Sequence, residues 1–219
     1  MIRADRKEIF RYLGYRGRTP ETGVAETVES CIAELQTVVD PRYVRRVFPL
    51  EWVSGTRFRI EGMDVVSRNL SRNLSGCAEV CLMAATLGLG PDRLIQRAEA
   101  VGKMSRAVIL QAAAAAMIES WCDEVNQRII DEAASQGLYC RPRFSPGYGD
   151  FPLEYQQDFA QILRMQKEIG VSLTESCLMM PSKSVTAVIG ITKEKQGCVL
   201  HGCEVCENSS ECAFSRNGV

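Results

Sequence analysis

The sequence predicts a mixed α+β fold. Residues 92–135 are strongly helical in character and carry an apolar stripe at helical spacing that includes Trp121 and Val125. Residues 185–192 (VTAVIGIT) are rich in β-branched side chains and predict a strand that is buried on both faces. Helices and strands therefore both occur, and 219 residues are enough to bury a sizeable core.

The composition is that of an ordinary soluble globular protein. Apolar residues make up 46%, charged residues 24%, and the formal net charge is -1, so no global field draws the chain to nucleic acid or membrane. The first residues are charged and do not resemble a signal peptide, and no run approaches the roughly 18 apolar residues of a membrane span. We expect a cytoplasmic protein, in which ten cysteines are not a disulfide framework.

The first quarter of the chain predicts two helices and two strands. Residues 5–13 predict a short helix that Gly14 ends. Apolar residues at three- and four-residue spacing predict a second helix from Pro20 to Asp40. The pattern then changes, and residues 43–60 predict two short strands.

A third helix is predicted over residues 67–83, with Ser67 as its N-cap. In that helix Cys77 and Cys81 would lie one turn apart and could share a ligand, although buried cysteines more often pack as small hydrophobic residues. Residues 85–94 predict the end of a strand that turns through two glycines into a new helix.

The second half of the chain alternates between the two types of element. Residues 137–141 predict a short strand, and residues 155–169 predict a helix that Gly170 closes. A further short strand is predicted at residues 178–181, before the β-branched run.

A proline- and glycine-rich segment, residues 141–155 (RPRFSPGYGDFPLEY), is the main candidate binding element. Three prolines and two glycines exclude a regular helix or a central strand, so backbone amides and carbonyls lie exposed beside Arg143, Tyr148 and Asp150. A guanidinium, a phenol and free backbone groups suit a small ligand with a carboxylate and a flat ring. A rigid connection between two elements fits the same residues equally well.

Glu119 is a second candidate. It lies beside the apolar stripe of the long helical stretch, in an alanine-rich region. A carboxylate there is either solvated at the edge of the packed surface or directed at a cation, and solvation is the commoner case.

The C-terminal residues 198–212 (CVLHGCEVCENSSEC) predict a metal site. Four cysteines, at x4, x2 and x5 spacing with His201 among them, lie in a polar segment where packing does not explain them: Cys198, Cys203, Cys206 and Cys212. Thiolates this close together favour a shared metal ion. The spacing does not decide between zinc and an iron–sulfur cluster, since plant-type ferredoxins share the x4 then x2 spacing. A redox-active tail without a metal is the alternative.

Two motifs carry a resemblance to a known family. Residues 173–192 (LTESCLMMPSKSVTAVIGIT) and the upstream residues 143–148 (RFSPGY) resemble two motifs of the activation domain of cobalamin-dependent methionine synthase. The two motifs occur in the same order as in that family, and Arg143 precedes Tyr148 by the same number of residues. The likeness covers about residues 90–192, and the N-terminal part looks like the short stand-alone relatives. It implies a single domain, residues 1–192, with an antiparallel sheet and surrounding helices. Residues 1–65 would add helices and a hairpin, and residues 193–219 a cysteine-rich tail.

The resemblance implies a function. Members bind S-adenosylmethionine and support reductive remethylation of cob(II)alamin. Here the cobalamin would be on a separate corrinoid-dependent methionine synthase or related methyltransferase, because no corrinoid-binding Asp-x-His-x-x-Gly motif occurs. The chain would then be an accessory component, with flavodoxin or ferredoxin as the reductant. A non-catalytic docking or assembly factor with a zinc tail, and an iron–sulfur electron carrier, are the alternatives.

The resemblance also assigns roles to residues of the S-adenosylmethionine site. Arg143 would hold the ligand's carboxylate, and Tyr148 would flank the ligand. Glu119 would lie near its amino group. The backbone of Ser145, Pro146 and Gly147 would bond its polar groups. The family's Gly-Tyr-Pro is replaced by GYGDFP, so Asp150 would have a role that fused domains lack.

Overall fold

The computed structural model describes residues 1–15 and 18–195. The helices are α1 (Arg6–Tyr12), α2 (Thr22–Gln36), α3 (Arg68–Asn73), α4 (Gly90–Ala100), α5 (Met104–Ser135), α6 (Gln156–Ile162) and α7 (Met165–Ile169). The strands are β1 (Arg42–Pro49), β2 (Glu51–Ser54), β3 (Arg57–Ile60), β4 (Met63–Val66), β5 (Glu79–Thr86), β6 (Tyr139–Cys140), β7 (Ser172–Leu173), β8 (Met179–Met180) and β9 (Ser184–Thr192).

A four-stranded antiparallel sheet organises the molecule. Its strand order is β1-β5-β9-β6, so that β5 and β9 are the inner strands. They pair in a single register in which Val80 lies opposite Gly190 and Met83 lies opposite Ala187. Because successive side chains of a strand point to opposite faces, Val80 and Met83 belong to different layers of the core.

Helices α1, α2, α4 and α5 cover one face of this sheet. The long helix α5 approaches closely because its central residues are alanines, and Ala113 and Ala114 are fully buried. They share one core with Leu35 of α2 and with Met83 and Ile189 of the sheet.

A smaller layer covers the other face. It consists of the three-stranded sheet β2-β3-β4 with α3, α6 and α7. Phe58, Leu70 and Phe159 are fully buried there against Leu82 and Val188 of the central strands. With both faces covered, β5 and β9 have no side exposed to water, which explains their continuous apolar sequences. The expected α+β fold, with an antiparallel sheet and surrounding helices, is confirmed.

The helix predicted over residues 67–83 is wrong in its second half. Ser67 does cap a helix, since its hydroxyl accepts a hydrogen bond from the Leu70 amide, but α3 ends at Asn73. Gly76 follows with a φ of +74°, and β5 begins at Glu79. The apolar residues that fit helical spacing here belong to a strand buried on both faces. Cys77 and Cys81 therefore do not share a helix face.

Smaller differences follow from single residues. The helical stretch at residues 92–135 is two helices, divided where Gly102 takes a φ of +74°. The helix predicted at residues 155–169 is interrupted at Arg164, whose φ is +54°. Only the first strand predicted within residues 43–60 joins the central sheet, and the following strands form the separate small sheet.

Candidate ligand-binding site

The proline- and glycine-rich segment continues the edge of the central sheet beyond β6. The amide of Arg141 donates to the carbonyl of Gly190 at 2.8 Å, and Phe144 and Val188 exchange hydrogen bonds at 2.9 and 2.8 Å. A glycine is needed at position 190, because a Cβ there would lie 2.6 Å from the Cys77 sulfur on one side and 3.0 Å from Arg141 Cγ of the segment on the other. The segment is therefore fixed to β9 up to Phe144, and it leaves the sheet immediately afterwards.

The segment then turns back on itself. The amide of Gly147 donates to the carbonyl of Phe151 at 2.7 Å, and that of Tyr148 donates to the carbonyl of Ser145 at 3.3 Å. Gly147 has a φ of +93°, which favours glycine. Phe151 is buried and anchors the turn, while Tyr148 is exposed at its tip.

Asp150 fixes the far side of this turn. Its carboxylate accepts hydrogen bonds from the Ser67 hydroxyl at 2.6 Å and from the amides of Arg68 and Asn69 at 2.7 and 3.0 Å. Burial raises the pKa of the Asp150 carboxyl, but these hydrogen bonds outweigh it and the net pKa is lowered. Asp150 thus caps the N-terminus of α3, a role that only the folded chain reveals.

Arg143 meets two carboxylates of α5 at the base of the turn. Its Nη2 lies 2.7 Å from Asp123 Oδ1 and 3.7 Å from Glu119 Oε2. The Arg143 side chain is 20% exposed, whereas those of Glu119 and Asp123 are 42% and 72% exposed. Arg143 Nη1 is buried and has no hydrogen-bond partner within the described part of the chain.

The structure thus brings together the two side chains of opposite charge among the predicted site residues, Arg143 and Glu119. Sequence reasoning missed Asp123, although its position four residues after Glu119 places both on one helix face. Pro146 is buried and contributes to packing, whereas Gly147 and Tyr148 are exposed next to it.

Cys122 lies close to the same guanidinium. Burial raises the pKa of its thiol to about 12, and the positive charge of Arg143 opposes this only in part. The thiol is therefore neutral at physiological pH, and its role is packing in the core between α5 and the sheet.

Two concavities lie elsewhere. One of about 730 Å³ is bordered by Arg42, Arg93, Arg97 and the Gly88–Gly90 turn, at the opposite edge of the central sheet. Another, of about 1050 Å³, borders the N-terminal residues. Neither is lined by a predicted ligand residue, and the candidate site is an open surface between α5 and the turn.

Within residues 1–15 and 18–195, no group of three or more His, Cys, Asp or Glu side chains is arranged to hold a metal ion. The predicted metal ligands Cys198, Cys203, Cys206 and Cys212 lie outside the described residues. Over the same ranges, no helix combines the length and the apolar character that a membrane crossing requires.

The fold and the edge segment define a class of protein: an α+β domain whose central antiparallel sheet presents an arginine-bearing turn at its edge. Residues 70–200 match the family described as vitamin B12 dependent methionine synthase, activation domain. This chain therefore belongs to the family of methionine synthase activation domains.

A solved structure supports the fold. The chain is similar to the crystal structure of the MetH reactivation domain bound to AdoHcy, with a TM-score of 0.61 and 18% sequence identity. The superposition covers 87% of this chain and 77% of that one. The comparison with curated proteins gave no match.

Proposed function

We propose that this protein binds S-adenosylmethionine and supports reductive remethylation of cob(II)alamin on a separate corrinoid-dependent methionine synthase or related methyltransferase. The family membership supports the reaction. The similar MetH reactivation domain is bound to AdoHcy, the demethylated form of the ligand, which supports the choice of methyl donor. The proposal makes the chain an accessory component that binds the methyl donor and docks on the corrinoid protein.

The observation that carries the proposal is the state of Arg143. A guanidinium can hold a carboxylate through two parallel N–H bonds. Here Nη2 has one such bond, to Asp123, while Nη1 is buried without a hydrogen-bond partner in the described chain. A buried donor left in this state costs about 1–3 kcal/mol. Arg143 is 20% exposed, and a guanidinium that turned outward from Cys122 could present both nitrogens to a ligand carboxylate, which would remove that cost. The residues present therefore fit the amino-acid end of S-adenosylmethionine.

The surrounding groups complement the rest of the ligand. Glu119, 42% exposed and one helical turn from Asp123, is placed to take the ligand's ammonium group. The amides of Gly147 and Tyr148 are used within the turn, and Pro146 has no amide hydrogen. The turn therefore offers acceptors, the carbonyls of Pro146 and Gly147, which suit the hydroxyl and amino donors of an adenosine. Ser145 adds a hydroxyl, and the exposed ring of Tyr148 offers a flat surface.

In the proposed reaction, the corrinoid on the partner supplies the cobalt centre that receives the methyl group. A reductant such as flavodoxin or ferredoxin would give one electron to the cob(II)alamin of the partner, and the methyl group of the S-adenosylmethionine sulfonium would pass to the reduced cobalt, leaving S-adenosylhomocysteine. The residues of this chain would bind the donor's amino-acid and adenosine parts. The openness of the site suits a donor that must face a second protein.

The cysteine-rich tail belongs to the same proposal. We propose that residues 1–192 form the activation domain and that Cys198, Cys203, Cys206 and Cys212 bind zinc or an iron–sulfur cluster. The support is the ligand spacing in the sequence.

Calorimetric titration with S-adenosylmethionine tests the function. Arg143→Ala should weaken binding by about 1.5–3 kcal/mol, the range for hydrogen bonds to charged groups. Arg97→Ala is the matched control, because Arg97 is an exposed arginine that borders the concavity at the opposite sheet edge. It should bind as the parent does. A parent protein that fails to bind S-adenosylmethionine would overturn the proposal and favour the docking or assembly role.

A further inference from the structure

Asp123 occupies the position on Arg143 that the ligand's carboxylate would take. Its Oδ1 lies 2.7 Å from Arg143 Nη2, a normal charge-assisted hydrogen bond. Both groups that would compete for this nitrogen are carboxylates, one belonging to the chain and one to the ligand. The ligand's carboxylate and Asp123 therefore compete for Arg143 Nη2.

The Asp123 contact is of a kind that a ligand can replace. The Asp123 side chain is 72% exposed, and an exposed ion pair is weakened by solvent and salt. It uses one nitrogen of Arg143 and leaves the buried Nη1 without a hydrogen-bond partner in the described chain. If the guanidinium turns outward when Asp123 leaves, a carboxylate that bridges Nη1 and Nη2 makes two charge-assisted bonds in place of one.

The charges of the site also indicate that Asp123 must leave when the ligand's carboxylate binds. Arg143 faces two carboxylates, Asp123 and Glu119, so the cluster carries a net negative charge when both are ionised. An incoming carboxylate is repelled by this arrangement as long as Asp123 stays in place. Glu119 lies 3.7 Å from the guanidinium and is the less exposed of the two acids, so it can remain to meet the ligand's ammonium group.

We propose that Asp123 is an internal competitor for Arg143, displaced by the carboxylate of the bound ligand. This inference rests on the proposed function, because it assumes that Arg143 holds that carboxylate. Asp123 then sets specificity: only a ligand with its own carboxylate can replace it on Arg143. If Asp123 instead positioned Arg143 for the ligand, removing the Asp123 carboxylate would weaken ligand binding rather than tighten it.

The test is the dissociation constant of S-adenosylmethionine, measured by calorimetry for the parent protein, Asp123→Asn and Glu124→Gln. Removing an exposed ion pair should tighten binding to Asp123→Asn by about 1.5- to 5-fold. Glu124→Gln is the control: it removes the same charge from the next residue of α5, which borders the N-terminal concavity instead. Its dissociation constant should equal that of the parent.

A second ligand separates competition from a general change in charge. Decarboxylated S-adenosylmethionine keeps the sulfonium, the amine and the adenosine but cannot compete for Arg143. Asp123→Asn should bind it no more tightly than the parent does. Equal tightening for both ligands, or tightening by Glu124→Gln, would contradict the competitor role.

The remaining outcomes are also distinct. If the parent binds S-adenosylmethionine and Asp123→Asn binds it equally or more weakly, the inference fails while the proposed function stands. If neither protein binds it, both fail.

Discussion

The hydroxyl of Ser67 donates a hydrogen bond to the carboxylate of Asp150 at 2.6 Å, across 83 residues of sequence. Ser67 is itself the N-cap of α3, so a single contact joins the start of that helix to the end of the glycine-rich turn. The turn that carries Tyr148 is thereby held at two places: β9 on one side, and α3 on the other. This arrangement fixes the position of a segment that has no regular structure.

Replacing Asp150 with alanine should destabilise the protein. The change removes the acceptor of three hydrogen bonds, including two from amides at the N-terminus of α3, and losses of helix caps cost about 0.5–2 kcal/mol. Urea unfolding at pH 7 measures the difference. Glu99→Ala, an exposed acid on α4, is the control and should leave the unfolding midpoint unchanged. A midpoint for Asp150→Ala equal to that of the control would remove the anchoring role.

The contribution of Asp150 should also depend on pH. Its folded-state pKa lies below the usual 3.8, so the folded protein binds this proton less tightly than the unfolded chain does. The stabilisation is complete above the unfolded pKa and is lost as the pH falls through the folded one. The difference in unfolding free energy between the parent and Asp150→Asn should therefore shrink from pH 7 to pH 3. A constant difference would show that the charge of Asp150 does not contribute.

The sequence predicted most elements because their signals are local. Asp5 caps α1, Gly170 ends α7 in a left-handed conformation, and the β-branched run of residues 185–192 is a buried strand. The end of β5 and the glycine turn into α4 were predicted, but most of β5 was assigned to a helix, because a continuous apolar run fits a buried strand and a buried helix equally well. Only its place between β1 and β9 decides, and the pairing with β9 joins residues about 100 positions apart.

The candidate site was predictable to the extent that one segment carries it. The turn and Arg143 could be found from composition and motif, because both lie within residues 141–155. The partners of the turn could not, because Asp123 and Ser67 come from distant helices: Asp123 does not stand out in α5, and Ser67 is marked only as a helix cap. Long-range contacts of this kind depend on how α5 and α3 pack against the sheet.

The close packing at Gly190 gives a stability prediction. In Gly190→Ala the new methyl group would meet the Cys77 sulfur at 2.6 Å and Leu74 Cδ2 at 2.8 Å, both inside the core. Overpacking of this kind costs about 1–3 kcal/mol. Gly55→Ala is the control, because a Cβ there meets nothing within 4 Å. Thermal unfolding should show a lower Tm for Gly190→Ala alone, and equal Tm values would show that Leu74 and Cys77 shift without cost.

The buried thiols should resist alkylation. Burial raises the pKa of both Cys81 and Cys122 to about 12, so the reactive thiolate is scarce at pH 8 and the sulfurs are shielded. Brief treatment with iodoacetamide, followed by peptide mass mapping, should leave both unmodified in the native protein. Both should be fully modified in guanidinium chloride, which is the internal control. Labelling of Cys122 in the native state would mean that α5 opens beside Arg143 far more readily than its packing indicates.

The proposed metal site can be tested without knowing which metal it holds. The double variant Cys203→Ser, Cys206→Ser removes the central x2 pair, so bound zinc or iron should be lost. Far-ultraviolet circular dichroism should be unchanged, because helices α1 to α7 bury their apolar residues in two cores formed by residues up to Ile191. Cys140→Ser, a half-buried cysteine of β6, is the control and should keep the parent's metal content. Equal metal content in the double variant and the parent, measured by elemental analysis, would contradict the metal proposal. Visible absorption of the parent distinguishes an iron–sulfur cluster, which absorbs, from zinc, which does not.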